Sequence, residues 1–383
     1  MNIDELYAIT RSLRVNGKHT DAWACFLKAH EGPYHEKWAP LFAYEKSILG
    51  YCGEGTPEER IVSFMRAYSS TPIDYANLQY HVIPFPCSTK PFPVEAKDDF
   101  LPTSTSILRL SPHHLLMNVR FVNYRIQDNG SYLMSENGIL SPHSDLRTRN
   151  VCLIMNNAYE VLRGDEMTIP QPPIHARNIH GLEDIRLFRK EYEIYFSASS
   201  CEYSHNGCIQ EVQGVYDIDG HQLTHIESMH SPTGSHVEKN WIPLNLGYAS
   251  PSVFIYSWHP LRIGHVKDSI FHTEKEVATP SFFKHVRGSS TFVSHSDAGT
   301  TYLYAMVHCV IETCPRKYYH SLVKLNMQHE VVAYTVPYYF VKNHIEYTIG
   351  IDIIGSQLTC IVSQNDCNPI LVQMELDSLL WLF

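Results

Sequence analysis

Several things are missing from this 383-residue sequence, and each absence removes a class of protein. No stretch approaches the 18 uninterrupted apolar residues of a membrane-crossing helix, and the opening MNIDELYAITRSLR has neither the basic start nor the apolar core of a signal peptide. A soluble, cytoplasmic protein without membrane insertion is therefore expected. Charge is sparse at 18%, against 44% hydrophobic residues, which is a globular rather than a disordered balance. The net charge of −10 argues against nucleic acid as a partner. The ten cysteines include no CxxC pair, so neither a paired-cysteine zinc site nor a disulfide framework is indicated. Histidine is abundant, at 23, and seven lie between His175 and His236. Yet there is no HExxH or HxH, and the spacings fit turns and strand ends better than a ligand set, so neither a metal nor any other cofactor is expected.

What is present divides into two textures. Residues 1–72 carry helical periods: DAWACFLKA places Trp23, Phe26 and Leu27 on one face, and EKWAPLFAYEKSIL does the same with Trp38, Leu41, Phe42 and Ile48. TPEERIVSFMRAYSS opens with Thr56 and Pro57 as cap and first-turn residue and Glu59 at the capping-box position. Such a small α-helical, tetratricopeptide-like region either caps the main domain or offers a surface for a protein partner or self-association. Residues 73–383 instead show short β-rich runs broken by Gly, Asn, Asp and Pro, with almost no helical period between them. The pattern specifies an antiparallel, mainly β architecture.

Strands ending in polar clusters recur in NVRFVNY, GLEDIRLF with YFSAS, FIYSWHP, LYAMVHC and CIVSQND, spaced roughly 50 to 70 residues apart, about one four-stranded blade each. Five such units predict a five-bladed β-propeller in which the innermost strands line a channel and bring the polar clusters to one mouth.

The densest cluster is GLEDIRLF. Strict alternation puts Asp184, Arg186 and Phe188 on one face and Glu183, Ile185 and Leu187 on the other, so each face carries a carboxylate. An unpaired buried charge is costly; the group is therefore either an internal bridge tying two blades or part of a site. In NVRFVNYRI, Asn118, Arg120 and Val122 share a face, which turns Arg120 toward the channel and packs Phe121 outward, with Tyr124 following. Asp366, in SQND, is either a hydroxyl acceptor or the Asx turn closing its strand.

Taken in order, these strings resemble the mannoside phosphorylases of glycoside hydrolase family 130 and the related β-1,2-mannosyltransferases, whose fold is a five-bladed propeller. GLEDIRLF with YEIYFSAS is similar to their G-x-E-D-P-R signature and Tyr-rich strand. VEKNWIPL, YSWHP, RGSSTFV, YLYAMVHC and CIVSQND follow as later segments do in that family, and the likeness spans about residues 100 to 378. EKNW and RGSS-like strings also mark uncharacterised glycosyltransferase-like proteins of bacteria and large viruses. The resemblance implies Asp184 as the acid/base, delivering its proton through a sugar hydroxyl, with Arg186 fixing that carboxylate or holding a sugar oxygen and Glu183 supporting it or binding sugar. It further implies Lys239, Arg287 and His308 on the phosphate side, with Asn240 standing where the family has aspartate. Trp241 is suited to stack on a sugar or to sit in the core.

The chain departs from the pattern where phosphorylases carry an arginine after the YSW-like strand, since His259 and Pro260 stand there. That incomplete phosphate set favours inverting transfer of a mannosyl-like unit from a phosphate-activated sugar donor to a glycan acceptor. Phosphorolysis, hydrolysis and non-catalytic glycan or protein binding are the alternatives. No DxD metal motif is evident, since DID at 217–219 belongs to a DIDG turn.

Overall fold

A computed structural model describes residues 87–383, except for 245–250, 298, 314–315, 380 and 383, together with Ile83–Pro84 and a few isolated positions nearer the start. The helical region expected over 1–72, and its boundary with the β region, lie outside the described residues. Among the described residues no helix is long and apolar enough to cross a membrane.

The rest is mainly β. Five antiparallel sheets follow one another along the chain. Sheet I holds Leu101–Ser111, His114–Val122, Leu146–Asn156 and Val161–Met167, with Ile179–His180 added beside its third strand. Sheet II is Glu183–Lys190, Glu193–Ser200, Gln210–Asp217 and Gln222–Ser228; sheet III is Ile242–Pro243, Val253–Trp258, Leu261–Lys267 and Ile270–Val277. In sheet IV both Arg287–Gly288 and Val293–Asp297 pair with Thr300–Ile311, followed by Lys317–Leu325 and Val331–Thr335. Sheet V runs Glu346–Ile354, Gln357–Gln364 and Cys367–Glu375, and its fourth strand is Ser88–Pro91, from near the other end of the described chain.

Contacts between sheets run in a cycle. The first strand of sheet I packs on the first strands of sheets II and V; sheet II meets sheet III through Ile242–Pro243; sheet III meets sheet IV through Arg287–Gly288; and Val293–Asp297 of sheet IV meets sheet V. A closed cycle of four-stranded meanders is the layout a five-bladed propeller requires, and pairing an early strand with the last sheet is one way to close it. Apolar side chains fill the spaces between neighbours. Leu116, Ile185, Phe196 and Val212 lie in one cluster spanning sheets I and II, and Ile255, Phe283, Met306, Tyr334 and Ile351 in another reaching across sheets III to V.

One expectation is corrected here. The recurring strings NVRFVNY, FIYSWHP, LYAMVHC and CIVSQND are second strands of their sheets, whereas GLEDIRLF alone heads a sheet. The physical reason is length. Innermost segments such as Ile242–Pro243 and Arg287–Gly288 are two residues long, too short to stand out in the sequence, while their partners are long enough to read as β-rich runs.

Candidate active site

The first strand of sheet II does not alternate as its sequence suggests. Its pairing steps from Glu183 opposite Ser199 to Arg186 opposite Ser197, three residues against two, which is a β-bulge of one residue. Asp184 takes up the irregularity with φ 52°, left-handed backbone that Asp adopts more readily than most residues. The bulge overturns the opposite-face expectation: Glu183 and Asp184 both line one cavity and both meet Arg120. Arg120, at the end of the second strand of sheet I, donates from Nη1 to Asp184 Oδ1 at 2.9 Å and approaches Glu183 Oε1 with Nη2 at 3.5 Å. Lys239 Nζ donates to the other Glu183 oxygen at 2.8 Å. The group is thus a bridge between two sheets and a cavity wall at once.

Burial alone would push the Glu183 carboxyl up, but the Lys239 ammonium and the Arg120 guanidinium outweigh it and hold it down at about 2. For Lys239 burial works against the charged form, and Glu183 with Asp184 more than offsets it, so the ammonium is held above its ordinary range. Asp366 sits in the turn after Gln357–Gln364, again with left-handed backbone (φ 52°). It accepts the Tyr124 hydroxyl at 3.0 Å. Its carboxyl is raised, chiefly by burial, with Arg120 opposing and Asp184 adding to the rise.

The cavity holds about 380 Å³. Arg120, Tyr124, Glu183, Asp184, Lys239, Asn240, Arg287, His308 and Asp366 all line it. Three expected residues do not. Asn118 is fully buried, donating to Asn150 Oδ1 at 2.9 Å and accepting the Tyr216 hydroxyl at 3.1 Å, so it ties sheet I to sheet II. Arg186 is also fully buried behind the wall, where it donates to Ser289 O at 2.6 Å, Tyr347 Oη at 3.0 Å, Asn240 Oδ1 at 3.3 Å and Asp184 O at 3.3 Å. It fixes the backbone of Asp184; the carboxylate itself is met by Arg120. Trp241 has no exposed surface and packs among Phe254, Tyr256 and Phe271, its indole N–H donating to Glu238 at 3.2 Å. No sugar ring reaches it.

His308 faces the cavity as a buried ring. Burial, joined by His320, Arg287 and Arg186, drives its imidazole well below the ordinary histidine range. It is neutral at pH 7 and can donate or accept a hydrogen bond, but it cannot neutralise a phosphate. Ser289 Oγ lies 2.7 Å from its Nδ1. Arg287 and Arg316 carry positive charge at the exposed side of the cavity, 4.0 Å and 3.0 Å from Glu312.

Sequence reasoning missed Tyr132, Arg316, Tyr318 and Tyr347, which also line the cavity. Tyr347 had a findable signal, because it is the second residue of the inner strand of sheet V as Asp184 is of that of sheet II. Tyr132 had none, since it belongs to a small three-stranded sheet, Tyr124–Ile126, Tyr132–Glu136 and Ile139–Ser141, inserted between the second and third strands of sheet I. Among the described residues no group of three His, Cys, Asp or Glu is arranged to hold a metal ion.

Three carboxylates, a row of tyrosine hydroxyls, an amide and several cations around one hollow suit a polyhydroxylated ligand with an anionic group. No protein-family model matches the chain, and no curated protein matches it. Solved structures do. It resembles the mannoside phosphorylases of glycoside hydrolase family 130. A β-1,2-mannobiose phosphorylase from Listeria innocua aligns at 11% identity and TM-score 0.49, covering 76% of this chain and 94% of that one. A mannose phosphorylase from Leishmania mexicana, solved with a phosphate ion, aligns at 9% identity and TM-score 0.43, covering 78% and 91%. An α-L-arabinanase from Penicillium chrysogenum aligns at 10% identity and TM-score 0.38, covering 76% and 99%.

Proposed function

We propose that the chain is a five-bladed β-propeller enzyme acting on carbohydrate, transferring a mannosyl-like unit with inversion between a phosphate-activated donor and a sugar acceptor, with Asp184 as the acid/base. The observation that carries this reading is the convergence of Asp184, oriented by Arg120 at 2.9 Å, with Arg287 and Lys239 in one cavity. The ordered sequence motifs support it independently.

In the transfer direction an acceptor hydroxyl oxygen bonds to the anomeric carbon as the bond from that carbon to the phosphate oxygen breaks. The phosphate leaves with the bonding electrons. The acceptor proton passes to Asp184, directly or through a neighbouring sugar hydroxyl, so a carboxylate held by a single oxygen, Oδ1, is suited to the task. Arg287 and Lys239 offset the charge gathering on the leaving phosphate, and His308 contributes only hydrogen bonds. Run backward, the same steps are phosphorolysis.

Hydrolysis is the second reading, because Asp366 places another carboxyl in the cavity with its pKa raised by burial. It predicts sugar release with neither phosphate nor acceptor present. Turnover of wild type and Asp184→Asn on nucleotide sugars, sugar 1-phosphates and manno-oligosaccharides tests the main reading. Loss of general acid/base catalysis is expected to slow the variant about 10²- to 10⁴-fold, and unchanged turnover removes Asp184 from the mechanism.

A further inference from the structure

Asn240 stands in the cavity wall beside two of its cations. Lys239 precedes it in the chain, and the strand carrying Arg287 packs directly on its backbone: a Cβ on Gly288 would lie 2.4 Å from the Asn240 carbonyl oxygen. Behind the wall is Arg186, fully buried, whose Nη2 lies 3.3 Å from Asn240 Oδ1 and 3.0 Å from the Tyr347 hydroxyl oxygen. That hydroxyl is itself 3.1 Å from Asn240 Oδ1.

These contacts fix which way the side-chain amide points. A guanidinium has only donors, so the atom turned to Arg186 is the amide oxygen. The Tyr347 oxygen accepts from Arg186, which leaves its one proton for that same amide oxygen. Both lone pairs of Oδ1 are thereby used, and the NH2 group, on the other branch of the amide, is the part left to face the cavity. Among the described residues neither of its N–H bonds has an acceptor. An aspartate held in the same grip would present a second oxygen and a negative charge instead. That difference decides the charge of the lining. Arg120, Lys239, Arg287 and Arg316 stand against Glu183, Asp184 and Asp366, four cations to three carboxylates, and an aspartate at 240 would cancel the surplus.

We propose that Asn240 selects the ligand by charge: its NH2 group donates to an oxyanion held beside Lys239 and Arg287, either a phosphate oxygen or the carboxylate of an acidic sugar. This rests on the carbohydrate reading above and deepens it, by assigning a neutral donor that decides which groups fit there. An uncharged donor costs less to bury than a further cation and, unlike a carboxylate, does not repel an oxyanion. An amide N–H bond also has a preferred direction, so it fixes the position of one oxygen while the two cations meet the charge.

Two variants test it. Asn240→Asp keeps an oxygen for Arg186 and Tyr347 and changes only what faces the cavity. Asn240→Gly suits the left-handed backbone (φ 70°) and removes the amide without adding charge. Calorimetric titrations of wild type and both variants would use mannose, mannose 1-phosphate, mannuronate and inorganic phosphate, so that one ring is compared with a phosphate, with a carboxylate and with neither. Asn240→Asp is expected to weaken the oxyanions about ten-fold or more, as a like charge set against an anion does, and Asn240→Gly by less. Both are expected to leave mannose affinity nearly unchanged. Oxyanions that bind Asn240→Asp as tightly as wild type, or a loss of mannose affinity in the same proportion, overturn the assignment of Asn240 and leave the proposed function standing. Selective loss of mannuronate, with neither phosphate ligand bound by wild type, supports the assignment with a carboxylate as the oxyanion and overturns the phosphate-activated donor. Wild type that binds mannose but no oxyanion overturns both, and binding of none of the four overturns the carbohydrate reading with them.

Discussion

Replacing Lys239 by methionine tests the electrostatics of the cavity without removing any carboxylate. In the wild type the Glu183 carboxyl is held at about 2, against an ordinary value of 4.5, because Lys239 and Arg120 outweigh burial. A depressed carboxyl pKa contributes stability that is present above the unfolded value near 4.5 and is lost as pH falls through about 2. At about 1.36 kcal/mol per tenfold change in proton affinity, the full shift corresponds to roughly 3 kcal/mol. Lys239 accounts for only part of it, and its side chain is 35% exposed, so solvent screening reduces its share to about 1–2 kcal/mol. Lys239→Met is therefore expected to lower stability by about 1–2 kcal/mol at pH 7, with the gap from wild type narrowing as pH falls from 4 toward 2, because Glu183 protonates first in the variant and only near 2 in wild type. Urea denaturation of both proteins at half-unit steps from pH 2 to 8 measures this. A gap that stays constant across the range, or none at pH 7, would refute the claim that the ammonium holds the Glu183 charge. Glu183→Gln in combination with Lys239→Met closes a double-mutant cycle, and the coupling it yields should be of the same size.

Two further outcomes follow from the wall behind the cavity. A Cβ on Gly288 would lie 2.4 Å from Asn240 O and 2.5 Å from Ile242 Cγ1, so Gly288→Ala must part the segment entering sheet III from the edge of sheet IV. Chemical denaturation should show a loss of about 1–3 kcal/mol, and phosphate affinity should fall with it, because Asn240 and Arg287 are carried by the two strands that separate. Glu211, fully buried, is pushed up to about 7 by burial, which Arg186 and the backbone N–H groups of Trp241 and Asn240 only partly oppose. A raised carboxyl pKa contributes stability that is complete below the unfolded value and is lost as pH climbs through about 7. Glu211→Gln should accordingly flatten the decline in stability between pH 5 and 8, a change on the order of 1–3 kcal/mol by the same conversion. A wild-type and variant profile that fall in parallel would show that Glu211 ionises without cost.

The β texture was legible because the second strands of the sheets form β-rich runs of six to twelve residues bounded by turn residues. The grouping of Lys239, Arg287, His308 and Asp366 was legible through the order of the motifs. Residues whose roles depend on what lies behind a wall were not. Arg186 and Arg120 are both arginines close to carboxylates in a β-rich chain, and nothing local distinguishes the one sealed among carbonyl oxygens from the one in the cavity. Trp241 neighbours two cavity residues in sequence, but a chain that turns left-handed at Asn240 (φ 70°) sends the next side chain into the aromatic cluster between sheets II and III. Tyr132 belongs to an insertion, and no periodicity announces what an insertion will lean against.

The misreadings of Arg186 and Trp241 share a cause that bears on function. Asp184, Asn240 and Asp366 all hold left-handed backbone, at φ 52°, 70° and 52°, and all three line the cavity. Such backbone costs on the order of 1 kcal/mol or more for a residue with a side chain, less for Asp and Asn, and persists only where the surroundings hold it. Here they do so by named contacts: Arg186 on the Asp184 carbonyl, Arg186 and Tyr347 on the Asn240 amide, and Tyr124 on the Asp366 carboxylate. Strict alternation would have sent Glu183 and Asp184 to opposite faces; the bulge turns both toward Arg120. The rule that failed to predict the cavity is therefore the rule the fold must break to make it.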